Sequence, residues 1–150
     1  MKKRFCIAVI GAVMVAVAPA SAEVTFKHIS AEQAARLVSN NNLNSVIADS
    51  TVFVMSFHKR TQSGHVERHM GWDEEFVMQE GDELLNYGSA ASNPRQLSLG
   101  EFTGDTITGG KSVLLHAGDV VVMPAGMWHQ HLLKSPTVRY LLFRTRKQPR

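Results

Sequence analysis

The segment from Gly118 to His129 constrains the fold of this chain most strongly, because it places a histidine directly behind a strand and a tight turn. Residues 119–123 form a β-branched, nearly continuous apolar run, which is typical of a strand buried on at least one face. Pro124 cannot donate a ladder hydrogen bond, and Gly126 permits a bend that other residues resist. We therefore predict a strand, a Pro-x-Gly turn and a second strand that begins at His129.

Polar side chains recur at every second position in two of the predicted strands, so each strand presents them on one face. After the turn, the residues on this face are His129, His131 and Leu133. In the strand that follows Gly64, the residues on the corresponding face are His65, Glu67 and His69. Side chains two positions apart are separated by about 6.6 Å along a strand, so two neighbours are able to lean toward one ion.

These segments resemble the two signatures of the cupin superfamily. The second signature, G-x5-P-x-G-x2-H-x3-N, is met at every position except the last, where Leu133 replaces asparagine; the matching residues are Gly118, Pro124, Gly126 and His129. The first signature ends in H-x-H-x3-4-E-x6-G, and the spacings of its last three residues are those of His69, Glu74 and Gly81. Glu67 stands in place of its first histidine. The resemblance covers roughly residues 64–133 and implies a cupin-type antiparallel β-barrel, a double-stranded β-helix or jelly roll.

The four signature positions are metal ligands in cupins, and this implies ligand roles for Glu67, His69, Glu74 and His129. Two carboxylates buried in a barrel are costly without compensation, and a divalent cation removes most of that cost. Oxygen and nitrogen donors without sulfur suit iron, manganese, zinc or nickel, and the donor set does not choose among these metals.

The resemblance leaves the activity open, because cupins include dioxygenases, isomerases, epimerases and lyases. As a metal-dependent enzyme, the protein is expected to act on a small oxygen-rich molecule, with Glu67 and His131 as candidate catalytic residues that move protons. The alternatives are a non-catalytic periplasmic module that binds a metal or a small ligand, and a metal-free barrel that binds an organic acid or sugar. Cupins often dimerise, so a homodimer is a further expectation.

The remaining pattern predicts a short helix followed by a barrel of short strands. Ser30 to Gln33 resembles a capping box, which predicts a helix at about 31–39. Short apolar or alternating runs separated by turns predict a barrel over about 46–144. The predicted strands are 46–48, 51–58, 65–69, 76–79, 83–87, 112–116, 119–123, 129–133 and 138–144. The segment from Ser89 to Gly110 is predicted to be loop-rich and to shape a barrel mouth or an edge.

The first 22 residues have the features of a secretory signal peptide. Three basic residues, Lys2, Lys3 and Arg4, precede an apolar run of 14 residues and an A-x-A cleavage site that ends at Ala22. This run is shorter than the roughly 20 residues that a membrane-spanning helix needs. We therefore predict a signal peptide at 1–22, one cupin domain at 23–150, and a periplasmic or secreted protein that has no membrane partner after cleavage.

Composition excludes several function classes for the mature chain. The one cysteine, Cys6, lies in the leader, so a disulfide, a thiolate ligand and a cysteine nucleophile are excluded. The leader holds three of the 16 Lys and Arg residues, and the remaining 13 balance the 13 Asp and Glu residues. A basic cluster near the C-terminus, which includes Arg144, is interpreted as a solvated strand end, and no nucleic-acid partner is expected. His58 is interpreted as a surface or strand-end histidine.

Overall fold

The computed structural model describes residues 28–37, 44–49 and 52–147, and these ranges contain one helix and thirteen strands. The elements in chain order are α1 (Ala31–Leu37), β1 (Asn44–Asp49), β2 (Phe53–Arg60), β3 (Val66–His69), β4 (Trp72–Glu80), β5 (Glu83–Gly88), β6 (Ala90–Ala91), β7 (Arg95–Ser98), β8 (Glu101–Gly104), β9 (Ile107–Thr108), β10 (Lys111–Leu115), β11 (Val120–Met123), β12 (Trp128–Leu133) and β13 (Val138–Arg146).

Helix α1 begins at the predicted capping box. The backbone N–H of Ser30 donates to Oε1 of Gln33 at 2.8 Å, and the backbone N–H of Gln33 donates to Oγ of Ser30 at 3.2 Å. The predicted helical residues 38 and 39 lie outside the described residues, as does the predicted signal peptide. No helix among the described residues has the length and apolar composition needed to cross a membrane.

Two antiparallel sheets form the barrel, which confirms the predicted all-β class. The first sheet has the strand order β1-β2-β13-β4-β11, and the second has the order β10-β5-β12-β3-β8-β7. Strands β6 and β9 form a separate two-stranded pair. Consecutive strands such as β3 and β4 lie in different sheets, so the chain crosses repeatedly from one sheet to the other.

The hydrophobic core lies between the two sheets. Its buried side chains come from β4, β5, β10, β11 and β13, and they are Phe76, Met78, Leu85, Leu115, Met123, Val138, Tyr140 and Leu142. Each large apolar side chain buried in this way contributes about 1.5–3 kcal/mol to folding. On β13 the buried positions alternate, so the next inward position after Leu142 is Arg144.

The segment from Ser89 to Gly110 is more regular than predicted, because it contains the four short strands β6 to β9. Its polar, glycine-containing sequence has little strand propensity of its own, and pairing with a distant strand supplies the regular structure. Strand β8 pairs with β3, and this register places Glu101 opposite His69. A residue from the predicted loop therefore lies beside a predicted metal ligand.

The Pro-x-Gly turn joins the two signature segments. Gly126 has φ 88°, a left-handed conformation that favours glycine. Its backbone N–H donates to the carbonyl oxygen of His69 at 2.8 Å. The preceding Ala125 donates its backbone N–H to Oδ1 of Asp73 at 2.7 Å. Both bonds hold the turn against the strands that carry the other candidate ligands.

Candidate metal centre

The structure brings together the four residues that the sequence predicts as ligands. Glu67 and His69 lie on β3, Glu74 lies on β4, and His129 lies on β12, where it pairs directly with Glu67. The side chains of Glu74 and His129 are 5% and 2% exposed, whereas the side chain of Glu67 is 32% exposed. The cluster is therefore buried on one side and open to solvent on the side of Glu67.

The donor atoms of these residues face one another. Nε2 of His69 lies 3.7 Å from Oε1 of Glu74 and 3.9 Å from Oε2 of Glu67. Nε2 of His129 lies 3.5 Å from Oε2 of Glu74 and 3.6 Å from Oε1 of Glu67. Metal–donor bonds of about 2.0–2.2 Å place neighbouring donors roughly 3–3.5 Å apart. The observed spacing is slightly wider than that of a closed coordination shell.

Both imidazoles direct Nε2 into the cluster because their Nδ1 atoms are engaged elsewhere. Nδ1 of His69 is paired with the carboxylate of Glu101. Nδ1 of His129 lies 3.3 Å from the carbonyl oxygen of Met127, which only accepts, so Nδ1 is the protonated nitrogen. Orienting contacts of this kind direct the Nε2 lone pairs into the cluster, where a metal would bind. Sequence analysis missed Glu101, because nothing in its local sequence shows that β8 pairs with β3.

Two arginine side chains also enter the site. The Arg144 guanidinium donates from Nε to Oε1 of Glu74 at 2.6 Å, and its Nη2 forms an ion pair with the same oxygen at 2.6 Å and lies 3.4 Å from Nε2 of His69. Nη2 of Arg60 lies 3.7 Å from Oε1 of Glu67. The interpretation of Arg144 as a solvated strand-end residue is therefore wrong. The signal was present in the sequence, since Arg144 continues the inward alternation of an otherwise apolar strand.

These contacts determine the charge states of the site. Burial opposes ionisation of Glu67, but the contacts with His129, His69 and Arg60 outweigh it and lower the pKa of Glu67 to about 2. Burial also opposes the charged form of His129, yet the carboxylates of Glu67 and Glu74 raise the pKa of His129 above its usual value. Glu67 is therefore ionised at neutral pH.

The formal charges around the cluster leave room for a divalent cation. Three acidic side chains pair with its two imidazoles, and they are Glu67, Glu74 and Glu101. Two guanidinium groups, those of Arg60 and Arg144, oppose them and leave one formal negative charge. This charge favours a bound cation, and the donor set of two carboxylates and two imidazoles suits a divalent ion. The residues present therefore fit the metal that the sequence predicts.

His131 is buried beside two of the four predicted ligands. Nδ1 of His131 lies 2.8 Å from Oε1 of Glu83, and its ring stacks on Tyr140 with a centroid distance of 5.6 Å. Its burial lowers the pKa of His131, although the contact with Glu83 opposes this. Ligand atoms of His131, Glu67 and His129 lie within 4.8 Å of one another. His65, in contrast, is exposed and precedes β3, so it is not brought to the site.

His58 is buried, so its interpretation as a surface histidine is wrong. Nε2 of His58 lies 2.8 Å from Oγ of Ser56, and its ring stacks on Tyr140 at a centroid distance of 4.9 Å. Burial is the main cause that lowers the pKa of His58 to about 3, and the positive charges of Arg60 and Arg144 add to it. His58 is therefore neutral in the folded protein at neutral pH.

We expect this burial to make the protein less stable in mild acid. The folded-state pKa of His58, about 3, lies below the ordinary value of 6.5, so only the unfolded chain takes up this proton as the pH falls from 6.5 toward 3. The group then costs about 1.4 kcal/mol of folding stability per pH unit. Urea unfolding of the wild type and of His58→Gln at pH 6.5 and 5 measures it. Between pH 6.5 and pH 5, the free energy of unfolding of the wild type should fall by about 2 kcal/mol more than that of His58→Gln. An equal fall in the two proteins would contradict this expectation.

Comparison with known proteins identifies the fold through structure rather than through sequence. No protein-family model matches the chain, and no curated protein matches it. A Bacillus halodurans protein of known structure is 13% identical with a TM-score of 0.58, over 83% of this chain and 85% of that chain. A cupin superfamily protein from Desulfitobacterium hafniense is 17% identical with a TM-score of 0.56, over 81% of this chain and 98% of that chain.

A third similar structure belongs to an enzyme. It is the hydroquinone 1,2-dioxygenase of Sphingomonas sp. TTNP3 with 4-hydroxybenzoate bound, which is 11% identical with a TM-score of 0.51. The similarity covers 71% of this chain and 66% of that chain. These structures confirm the resemblance at the level of the fold: the chain has the cupin double-stranded β-helix.

Proposed function

We propose that this chain, which has the cupin fold, is an exported protein that binds a divalent metal through Glu67, His69, Glu74 and His129. The basic and apolar leader with its A-x-A site supports export and a mature domain at 23–150. The mutually facing donor atoms carry the proposal: two Nε2 atoms and the carboxylate oxygens lie 3.5–3.9 Å apart, and each imidazole is oriented through its Nδ1 atom.

We further propose that the protein is a metal-dependent enzyme that acts on a small oxygen-rich molecule. A metal at this site supplies Lewis-acid polarisation of an oxygen atom of the ligand. Glu67 is ionised and is the most exposed of the four donors, so it is placed either to complete the metal site or to accept a proton from the bound molecule. A ligand atom of His131 lies within 4.8 Å of those of Glu67 and His129, and Nδ1 of His131 is paired with Glu83.

A second candidate function is a metal-free binder of small molecules, and the arginine contacts favour it. Arg144 already donates a hydrogen bond to Glu74 and forms an ion pair with it, and Arg60 lies near Glu67. Both carboxylates therefore have a positively charged neighbour without a metal. Such a barrel would bind its ligand through these polar side chains alone, as a non-catalytic periplasmic module.

Elemental mass spectrometry of the protein purified without a tag from the periplasm distinguishes the two functions. We expect about one equivalent of one transition metal in the wild type. We expect His129→Ala to lose it, with a decrease in affinity that exceeds the roughly 10–100-fold typical of residues that only orient a ligand. His116→Ala is the matched control, because His116 is an exposed histidine paired with Asp82 at 2.8 Å, and it should retain the metal.

Glu67→Gln separates the two roles proposed for Glu67, because it keeps the side-chain size and removes the charge. Loss of the metal in this variant assigns Glu67 as a ligand, whereas retention of the metal with loss of turnover assigns it as a base. A wild-type protein that contains no metal, even after anaerobic reconstitution, would overturn the metal site. The metal-free binder would then be the function that the barrel supports.

A further inference from the structure

We propose that Arg144 recognises the substrate and that the substrate is a small organic carboxylate. This inference rests on the proposed metal site and names the class of molecule that the site accepts. Arg144 lies on β13, directly opposite Glu74 on β4. Its side chain is 31% exposed, whereas that of Glu74 is 5% exposed, so Arg144 contacts a buried carboxylate and still reaches solvent.

The guanidinium group of Arg144 has two edges that carry donors. The protein binds one of them through Glu74, and the other is available to a ligand. On the edge formed by Nε and Nη2, Nε donates to Oε1 of Glu74 at 2.6 Å, and Nη2 forms an ion pair with the same oxygen at 2.6 Å. On the other edge, Nη2 lies 3.4 Å from Nε2 of His69, and Nη1 has no hydrogen-bond partner within residues 52–147. The Nη1 atom is not buried, so its N–H groups are accessible to a ligand.

Metal binding makes this second edge fully available. The lone pair on Nε2 of His69 either accepts a hydrogen bond from Arg144 or binds a metal, and it cannot do both. When a metal takes this lone pair, the N–H of Nη2 loses its acceptor. The Nη1–Nη2 edge then presents two parallel donors beside the metal ligands His69 and Glu74, which is the arrangement that pairs with a carboxylate.

The surrounding charges favour a singly charged carboxylate over a polyanion. Glu67 and Glu101, the other half-exposed members of the cluster, each have side chains that are 32% exposed. Their negative charges repel a phosphate or a larger polyanion more than a monocarboxylate. A neutral amide of the same shape lacks the charge and the second acceptor oxygen, so it should bind weakly.

Titration of acetate into the Co²⁺-loaded protein tests this inference without any assay of activity. Acetate binding is followed by calorimetry and by the visible absorption of Co²⁺, with acetamide as the neutral probe. We expect acetate to perturb the Co²⁺ spectrum of the wild type and acetamide to leave it unchanged. Arg144→Gln should weaken acetate binding by about 10–100-fold, and Arg144→Lys, which keeps the charge without the planar edge, should fall between them.

Arg139→Gln is the matched control. Arg139 lies on the same strand, but its Nη1 atom pairs with Oε2 of Glu80 at 3.0 Å and not with a residue of the cluster. It should bind acetate like the wild type. Arg144→Gln should retain Co²⁺, since it removes a positive charge from the vicinity of the metal. Unchanged acetate affinity in Arg144→Gln, or loss of Co²⁺ from this variant, would overturn the role of Arg144. A wild type that shows no Co²⁺ spectrum before acetate is added would instead overturn the metal site itself.

Discussion

A saturating divalent metal is expected to raise the free energy of unfolding of this protein by about 4 kcal/mol when its free concentration is roughly a thousand times the dissociation constant. The physical reason is that the four donors come from β3, β4 and β12, so only the folded chain assembles them. The gain corresponds to a shift of roughly 10–20 °C in the melting temperature for a domain of this size. Thermal melts of the protein with excess metal and with excess EDTA measure the shift.

The variants identify the site responsible for this stabilisation. His129→Ala should melt at the same temperature with metal and with EDTA, because it removes a donor that is almost fully buried. His116→Ala should show the full wild-type shift, since His116 is exposed and pairs with Asp82 rather than with a residue of the cluster. An equal metal-dependent shift in His129→Ala would show that the metal binds elsewhere on the folded protein.

The four ligand candidates followed from the resemblance to the cupin signatures, and the spacings that carry this resemblance are local. Glu67 and His69 are two positions apart on one strand, and His129 follows a turn whose geometry is set by Pro124 and Gly126. Alternation along a strand and the requirement for a left-handed glycine act over a few residues. For this reason the sequence predicted that Glu67 and His69 share one face of a strand and that His129 begins another, while the inward direction was implied by the resemblance.

The residues that complete the site depend on pairing between distant strands, which local patterns do not encode. Glu101 reaches His69 only because β8 pairs with β3, and Arg144 reaches Glu74 only because β13 pairs with β4. The sequence does contain a signal for Arg144, because this basic residue continues the alternation of the inward positions Tyr140 and Leu142. It contains no such signal for Glu101, since the segment around Glu101 is polar and lacks a clear period.

The buried contact between His131 and Glu83 is expected to contribute strongly to the stability of the folded protein, independently of metal binding. Glu83 is 0% exposed, its Oε1 pairs with Nδ1 of His131 at 2.8 Å, and its Oε2 has no hydrogen-bond partner. His131→Leu removes the donor seen for this buried carboxyl group. We expect the free energy of unfolding in EDTA, measured by urea titration, to fall by about 3–5 kcal/mol, as for other buried pairs that lose one partner.

The double variant Glu83→Leu with His131→Leu distinguishes the loss of a polar partner from the loss of packing. His131 also stacks on Tyr140 and contacts Phe76, with centroid distances of 5.6 and 5.3 Å. If the buried carboxyl group of Glu83 causes the instability once its partner is gone, removing it as well should recover most of the lost stability. The reason is that an apolar pair of similar volume is often as stable as the polar one. If the ring contacts cause it, the double variant should be no more stable than His131→Leu, and the barrel interior would then depend on aromatic packing at this position.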